Sequence, residues 1–292
     1  MSEKRKKPTD LTALWDAPVE GALRWQPGTS IRALDTAATP GFNGTKEQAK
    51  AALKMLQPEL AELQEKLFAN GKSGVHKAVL LVVQGLDTAG KGGVVEHVIG
   101  LVDPQGVKLS SFGVPTAEES EHHYLWRIEN ALPKPGYIGV FDRSHYEQVL
   151  VVRAEELEDE KIWRSHYGEI NHFEEDVTNR GIKVIKVALI VSKDEQKNRL
   201  MARLDHPNKY WKYNPNDLKT RAKFEEYLDA YQDMFDATST DTAPWYVIPA
   251  DNKWYVRLAI TQLLLDALRS LNLEWPAANF DVEEQKRQVA AS

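Results

Sequence analysis

The 292-residue sequence contains no cysteine. It therefore cannot build a disulfide framework, bind zinc through thiolates or use a cysteine nucleophile. It also lacks an apolar run approaching the roughly 20 residues that span a bilayer. Its first ten residues, MSEKRKKPTD, lack the apolar segment of a signal peptide. We expect a cytoplasmic protein that makes no contact with membranes.

The chain also has fewer basic than acidic residues: 37 Lys and Arg against 43 Asp and Glu, a formal net charge of −6. This balance argues against general nucleic-acid binding, so a site for any polyanion must be a local basic cluster. Hydrophobic residues make up 42% and charged residues 27% of the chain. These values, with the length, predict one large globular domain with additions.

Three segments differ in pattern. Residues 1–45 contain four prolines and no sustained period, which predicts an extended arm on the domain surface. We expect Trp15 and Trp25 to pack this arm onto the domain. Residues 46–275 alternate apolar runs with periodic stretches and form the folded core, whereas the polar residues 276–292 are expected to be disordered or bound to a partner.

The core alternates predicted strands with predicted helices. Short apolar runs rich in β-branched residues predict strands at 77–84, 137–141, 183–191 and 245–249, with a weaker case at 109–114. Helical spacing predicts a helix from Lys46 to about Asn70 that Gly71 ends, and further helices at 92–101, 117–130, 145–180 in pieces, 193–204, 217–235 and 252–271. This order predicts a five-stranded parallel sheet in a three-layer α/β/α domain.

A glycine-rich loop follows the first predicted strand. In GLDTAGKGG, Gly85, Gly90 and Lys91 stand in G-x-x-x-x-G-K spacing between a strand and a helix. Such a loop wraps a phosphate with backbone N–H groups while the lysine reaches the terminal phosphates. A glycine-rich turn with an accidental lysine is the alternative, which the strand and helix context disfavours.

The loop departs from the usual motif because Gly92 stands where a Ser or Thr hydroxyl would bind magnesium. Asp87, inside the loop, makes sense beside phosphate if a divalent cation lies between them. Asp142 ends the strand YIGVF and would therefore lie at the ligand-binding edge of the sheet as a second metal ligand. Either aspartate could instead cap a helix or turn. Arg143 could bind a transferring phosphoryl group or form a structural ion pair.

Basic residues concentrate in one segment after the strand at 183–191, where Pro207 and Pro215 could bound a moving piece. We predict a lid at about 203–223 that closes over phosphates. A solvated charged face is the alternative. The segment includes the basic residues Arg199, Arg203, Lys209, Lys212, Lys219, Arg221 and Lys223.

The histidines and lid aromatics carry weaker signals. The eight histidines show no spacing with a third ligand that would make a zinc site. His145 could touch a phosphate or simply pack. Trp211 and Tyr213 could stack on a nucleobase or pack the lid segment.

Four ordered motifs, GLDTAGKGG, FDRSHYEQVLVVR, RLDHPNKYWKYNPNDLKTR and APWYVIPADNKWYVR, closely resemble the family-2 polyphosphate kinases over about residues 50–275. The resemblance implies a thymidylate-kinase-like P-loop kinase core with a helical lid. It also implies reversible, Mg²⁺-dependent phosphoryl transfer between inorganic polyphosphate and nucleotides, with Mn²⁺ as a substitute metal, and assembly as a homodimer or homotetramer.

Matching motif positions implies a set of site residues. The form RSHYE, with Glu147, is similar to members that accept AMP as well as ADP, which makes Glu147 an acceptor residue. The implied catalytic residues are Asp87, Lys91, Asp142, Arg143 and Arg203, with Asp87 and Asp142 on the metal. The implied phosphate-binding residues are Gly85, Gly90, Lys91, Gly92, Arg127, Lys209, Lys212 and Arg221.

The leading hypothesis is a polyphosphate-dependent kinase of ADP and AMP. A phosphate acceptor is already ionised at neutral pH, so catalysis would need positioning and charge neutralisation rather than a strong base. One alternative is an ATP-dependent nucleotide kinase on the same core, and another is a non-catalytic regulator that binds polyphosphate or nucleotide. The segment DNKW at 251–254 does not complete an N-K-x-D guanine motif, which disfavours a GTPase.

Overall fold

The structure, a computed structural model, describes residues 14–292. At its centre is a five-stranded sheet in which every pairing is parallel and the strand order is β2-β3-β1-β4-β5. The strands are β1 (Ala78–Gly85), β2 (Val107–Ser111), β3 (Ile138–Asp142), β4 (Ile182–Ile190) and β5 (Trp245–Pro249). The predicted five-stranded parallel sheet is thus confirmed.

The burial of each strand explains how clearly the sequence predicts it. The central strands β1 and β4 are buried along almost their whole length, so they read as continuous apolar runs. The edge strand β2 mixes half-buried and exposed positions. It lies at 107–111 rather than at the predicted 109–114, since an edge strand lacks the apolar run that marks its limits.

Helices cover both faces of the sheet. One layer contains α11 together with α2 and α3, both of which contact it, and the other contains α6, α7 and α10, which contact one another. The helices are α1 (Val19–Leu23), α2 (Lys46–Lys72), α3 (Lys91–His97), α4 (Ala117–Ser120), α5 (Leu125–Ala131), α6 (Glu147–Ala154), α7 (Glu160–Asn179), α8 (Lys193–Leu204), α9 (Asp217–Ala222), α10 (Phe224–Thr238), α11 (Lys253–Ser270) and α12 (Val282–Ala291). The three-layer α/β/α prediction is confirmed.

The first long helix does not end where the sequence suggests. Thr45 begins α2 with a capping box, in which its hydroxyl accepts from the backbone N–H of Gln48. Gly71, predicted to end the helix, lies inside it. A Cβ on Gly71 would approach the Cα of Gly136 to 2.5 Å. Glycine is therefore present because two backbones meet, and the prediction of a stop at this residue is wrong.

The described part of the predicted arm, residues 14–45, lies against the domain and includes the short helix α1. The backbone N–H of Trp25 donates to the carbonyl of Trp245 at 2.8 Å, and its indole Nε1 donates to Asp236 at 2.8 Å. Trp15 packs edge-on against Phe42 with ring centroids 5.2 Å apart. The first 13 residues of the arm lie outside the described residues.

The polar tail contains helix α12, although we predicted disorder or a bound partner there. The side chain of Asp281 accepts from the backbone N–H of Glu284 at 3.0 Å and so caps the helix. Ion pairs one turn apart, such as Lys286 with Glu283, also stabilise it. None of its residues is buried.

Within residues 14–292, no helix has the length and apolar character needed to cross a membrane.

Candidate active site

The phosphate loop lies at the carboxyl end of β1, between that strand and α3. Gly90 adopts a φ of +121°, a conformation that side chains resist, so the last turn before the helix requires glycine. The Nζ of Lys91 donates to the carbonyl of Gly85 at 2.7 Å and thus folds back over the loop. Burial lowers the pKa of Lys91, and the nearby Arg143 guanidinium lowers it further.

The end of β3 brings Asp142 and Arg143 beside this loop. In the sheet, Asp142 lies in register with Val83 of β1, two residues before the glycine that opens the loop. Arg143 Nη2 lies 3.0 Å from Asp87 Oδ1, and its Nη1 lies 3.4 Å from Glu147 Oε2. Arg143 thus forms an ion pair and also faces the cleft that the loop borders.

That cleft is an open cavity of about 1240 Å³. Its volume exceeds that of ordinary small-molecule pockets, about 300–1,000 Å³. Its walls carry eight basic and four acidic side chains. The basic ones are Lys91, Arg143, Arg199, Arg203, Lys209, Lys212, Lys253 and Arg257, and the acidic ones are Asp87, Asp142, Glu96 and Glu195. An acidic protein therefore concentrates positive charge in one cleft, which favours an anionic ligand.

The structure brings most of the predicted site residues together. Those that line the cleft are Asp87, Gly90, Lys91, Gly92, Asp142, Arg143, Arg203, Lys209 and Lys212. Gly85 and Glu147 line an adjoining cavity of about 60 Å³ with Asp87 and Arg143. Burial raises the pKa of Glu147, against the opposing attraction of Arg143 and Lys91.

Two predicted phosphate-binding residues lie elsewhere. Arg127 donates to the carbonyl of Gly113 at 3.1 Å and pairs with Glu119 at 3.2 Å. Arg221 donates to the carbonyl of Lys193 and to the side chain of Gln196. Neither arginine lines the cleft or the adjoining cavity. Both guanidinium groups instead bind protein groups in this structure.

A magnesium ion would find two carboxylates in the cleft, from Asp87 and Asp142. Between residues 14 and 292, no protein group donates a hydrogen bond to the carboxylate of Asp142, and no cluster of three or more His, Asp or Glu forms a complete metal cage. Mg²⁺ is commonly held by one or two carboxylates together with substrate phosphates and water. The pair therefore fits such an ion without the hydroxyl that Gly92 lacks.

The predicted lid follows α8 and forms one wall of the cleft. Arg203 is anchored there, since its Nη1 donates to the carbonyl of Lys212 at 2.8 Å and to Asp217 Oδ2 at 3.1 Å. Burial raises the pKa of Asp217. Trp211 lines the cleft and is 78% exposed as a residue, so its ring is available to a ligand.

Arg199, counted in the basic segment, connects the phosphate loop to the segment that directly follows β5. Its Nη1 donates to the carbonyls of Thr88 and Ala89 at 3.0 Å each. Its Nη2 donates to the carbonyls of Ala250 and Asp251 at 2.7 and 2.9 Å. Its Nε donates to Glu195 at 2.7 Å, so all five donors are used. The carbonyls of Thr88 and Ala89 in the phosphate loop are therefore hydrogen-bonded within the protein.

Sequence reasoning missed Lys253 and Arg257, which line the cleft from α11. They lie four residues apart and therefore share one helix face. Within residues 14–292, neither side chain has a carboxylate partner in an ion pair. Burial lowers the pKa of Lys253, and Arg199 lowers it further. The spacing in DNKWYVR is a signal that could have identified the pair.

Comparisons with known proteins agree with this geometry. The family model described as Polyphosphate kinase 2 matches residues 43–275. The chain is 41% identical over 246 residues to an AMP/ADP-polyphosphate phosphotransferase of Meiothermus ruber, covering 84% of this chain and 91% of the relative. It is 38% identical over 247 residues to an ADP-polyphosphate phosphotransferase of Rhodopseudomonas palustris, covering 80% and 84%.

A solved structure gives the same result for the fold. The crystal structure of Polyphosphate Kinase 2 from Arthrobacter aurescens TC1 matches with a TM-score of 0.93 and 50% sequence identity, covering 95% of this chain and 98% of that chain. The predicted P-loop kinase fold and the resemblance are thus confirmed. The chain belongs to the polyphosphate kinase 2 family.

Proposed function

We propose that the protein transfers the terminal phosphoryl group of inorganic polyphosphate to ADP and to AMP, reversibly and with Mg²⁺. The observation that carries this proposal is the cleft, in which a phosphate loop and two carboxylates lie beside a wall of basic side chains. Two similar proteins are named for transfer between polyphosphate and AMP or ADP, which supports the same substrates here.

The distribution of charge favours polyphosphate over ATP as donor. Eight basic against four acidic side chains leave an excess of four positive charges along the cleft. These charges extend from the phosphate loop to Lys209 and Lys212 on the lid and to Lys253 and Arg257 on α11. A long polyanion can contact all of these positions at once, whereas the phosphates of one nucleotide are confined to the loop. Counterion release would make donor binding weaken with salt, as for other polyanions.

The chain's own residues supply positioning and charge. Lys91 and the loop N–H groups would hold the phosphate that is transferred, and Arg143 would neutralise charge on its oxygens. Arg203, anchored by Asp217, would contact the donor from the lid side. The acceptor phosphate attacks in line and needs no general base because it is already ionised. The metal, held by Asp87 and Asp142, would supply further charge neutralisation.

Glu147 would act on the acceptor through Arg143. It lies outside the large cleft but holds one guanidinium nitrogen of Arg143 at 3.4 Å. An arginine fixed from one side by Glu147 and from the other by Asp87 has a defined direction toward the acceptor phosphate. We propose AMP as well as ADP as acceptor because the form RSHYE is similar to members that accept both, and because one similar protein is named for both.

A coupled assay tests the proposal. Purified protein, long-chain polyphosphate and Mg²⁺ are incubated with AMP or ADP separately, and the nucleotides are separated by chromatography. We expect ADP from AMP and ATP from ADP. Product from ADP alone would contradict the role given to Glu147. Product only when ATP replaces polyphosphate would support an ATP-dependent nucleotide kinase, and binding without any product would support a regulator.

We also propose a cytoplasmic location and, as the resemblance to the family implies, assembly as a homodimer or homotetramer. Light scattering on the purified chain tests the assembly, since a mass of two or four times 33.1 kDa is expected. A monomeric mass at working concentration would contradict it.

A further inference from the structure

A lysine is buried in the middle of the sheet, away from the cleft. Lys186 of β4 has no exposed surface, and its Nζ uses all three of its donors. It donates to Tyr146 Oη at 2.8 Å, to Glu174 Oε2 at 2.6 Å and to the carbonyl of Thr238 at 2.7 Å. Glu174 lies on α7, so this ion pair joins the sheet to the helical layer.

The other oxygen of Glu174 holds two consecutive residues. Tyr146 Oη donates to Glu174 Oε1 at 2.7 Å, and His145 Nε2 lies 3.2 Å from the same oxygen. Among the described residues, His145 Nδ1 is buried without a hydrogen-bond partner. Because a carboxylate oxygen only accepts, the Nε2–H of His145 is the donor in this contact. His145 packs here and does not face the cleft.

These two residues directly follow the arginine that faces the cleft. Arg143 has a φ of +65°, a strained conformation for a non-glycine residue that persists only where the surroundings impose it. Its N–H donates to the carbonyl of Val83 at 3.0 Å. Ser144 accepts at 3.0 Å from Gln84. The buried network then holds His145 and Tyr146, so the whole turn into α6 is fixed.

Stability alone does not explain a charged pair at this depth. Replacing a buried ion pair by apolar side chains of similar volume is often neutral or stabilising. We propose that the pair Lys186–Glu174 is a positioning device that, through His145 and Tyr146, holds Arg143 in the orientation needed for phosphoryl transfer. This inference rests on the proposed function for its kinetic readout.

The test uses the double variant Lys186→Met/Glu174→Leu in the full chain. The expected result is a folded protein with kcat lowered about 10- to 100-fold, as for a displaced catalytic group, while KM for polyphosphate and for ADP stays within about twofold. Hydrogen exchange of the backbone amides at 143–147 should become faster. Thr261→Val is the matched control, since it removes a buried polar atom of α11 that has no partner among the described residues. We expect normal kcat for this control.

A double-mutant cycle with Arg143→Ala separates positioning from general damage. If the network acts through Arg143, the double variant should cost less than about twofold in the Arg143→Ala background. The same loss in both backgrounds, or normal kcat in the folded double variant, would overturn the inference. If the double variant does not fold, Tyr146→Phe decides, because it keeps the packing and removes one hydroxyl. It should lower kcat several-fold, and normal kcat would overturn the proposal.

The failure of the proposed function would be recognised separately. A wild-type protein that does not use polyphosphate would contradict that function and leave the exchange measurement as the test of the network. Unchanged exchange at 143–147 in the double variant would then overturn the positioning role.

Discussion

Arg143 Nη2 and Asp87 Oδ1 lie 3.0 Å apart, so a salt bridge joins the end of β3 directly to the phosphate loop. The same guanidinium approaches Glu147 on its other side. The group proposed to bind phosphate and a group proposed to bind metal are therefore already adjacent. Both groups are thus held in place at the edge of the cleft before a phosphate and its metal bind there.

Removing the charge of Lys91 or of Asp142, which both line the cleft beside the phosphate loop, should impair phosphoryl transfer. We expect Lys91→Ala and Asp142→Asn each to lower kcat at least about a hundredfold, as when one preorganised electrostatic group is lost. Steady-state kinetics at saturating Mg²⁺ measures this, with circular dichroism to confirm the fold. Near-normal turnover in a folded variant would contradict the assignment of that residue.

The basic pair on α11 should act mainly on long donors. In Lys253→Ala/Arg257→Ala we expect KM for long-chain polyphosphate to rise about three- to tenfold, a loss of roughly 1 kcal/mol, with a smaller effect on tripolyphosphate. Lys219→Ala is the control, because this exposed lid lysine does not line the cleft. An unchanged KM for long-chain polyphosphate in the double variant, or the same fold-increase in KM for both donors, would show that the pair does not bind the chain.

Glu147 should reduce stability at neutral and alkaline pH. Burial raises its pKa, so its favourable contribution is complete below the unfolded value of about 4.3 and is lost as pH rises through the folded value. Glu147→Gln should therefore raise Tm by at least about 1 °C near pH 8, and the difference should disappear near pH 4. Thermal unfolding across this range, with exposed Glu65→Gln as control, measures it. A variant less stable than wild type near pH 8 would contradict this account.

Arg199 should not tolerate replacement by lysine. Its side chain is 6% exposed and donates to four backbone carbonyls and to Glu195. Lysine has three donors, so buried carbonyls would remain unpaired at about 1–3 kcal/mol each. Urea denaturation should show a free energy of unfolding lower by about 2–4 kcal/mol, from one or two such groups.

A surface arginine provides the comparison. Arg269 pairs with Glu59 and is 46% exposed, so Arg269→Lys should change the free energy of unfolding by less than about 1 kcal/mol. Similar values for the two variants would contradict the role given to Arg199.

Local patterns predicted the sheet and the center of the site. Gly90 and Lys91 follow a buried strand, and Asp142 ends another, so the edge where they meet could be inferred from strand order. Sequence neighbours alone did not indicate that Gly71 meets the backbone of Gly136. Nor did they show that Arg127 would be bound by Glu119. These outcomes depend on which elements pack together.

Other features had a signal that was not used. Lys186 stands within the apolar strand KVIKVALIV. A parallel sheet is covered on both faces, so a lysine in a central strand is buried and needs a partner for its charge. That partner, Glu174, lies 12 residues earlier on a helix. Helical spacing does not reveal which polar residue of α7 is buried against the sheet. The partner of Lys186 is therefore identified only by the structure.

The most direct test of the central claim follows the phosphoryl group itself. The protein is incubated with ³²P-labelled long-chain polyphosphate, ADP and Mg²⁺, and the label is traced into nucleotide, with Lys91→Ala as the inactive reference. We predict that label appears in the γ-phosphate of ATP and is nearly absent with Lys91→Ala. The account would be contradicted if the nucleotide stayed unlabelled although the same wild-type preparation, in a separate reaction, used ATP as a phosphoryl donor.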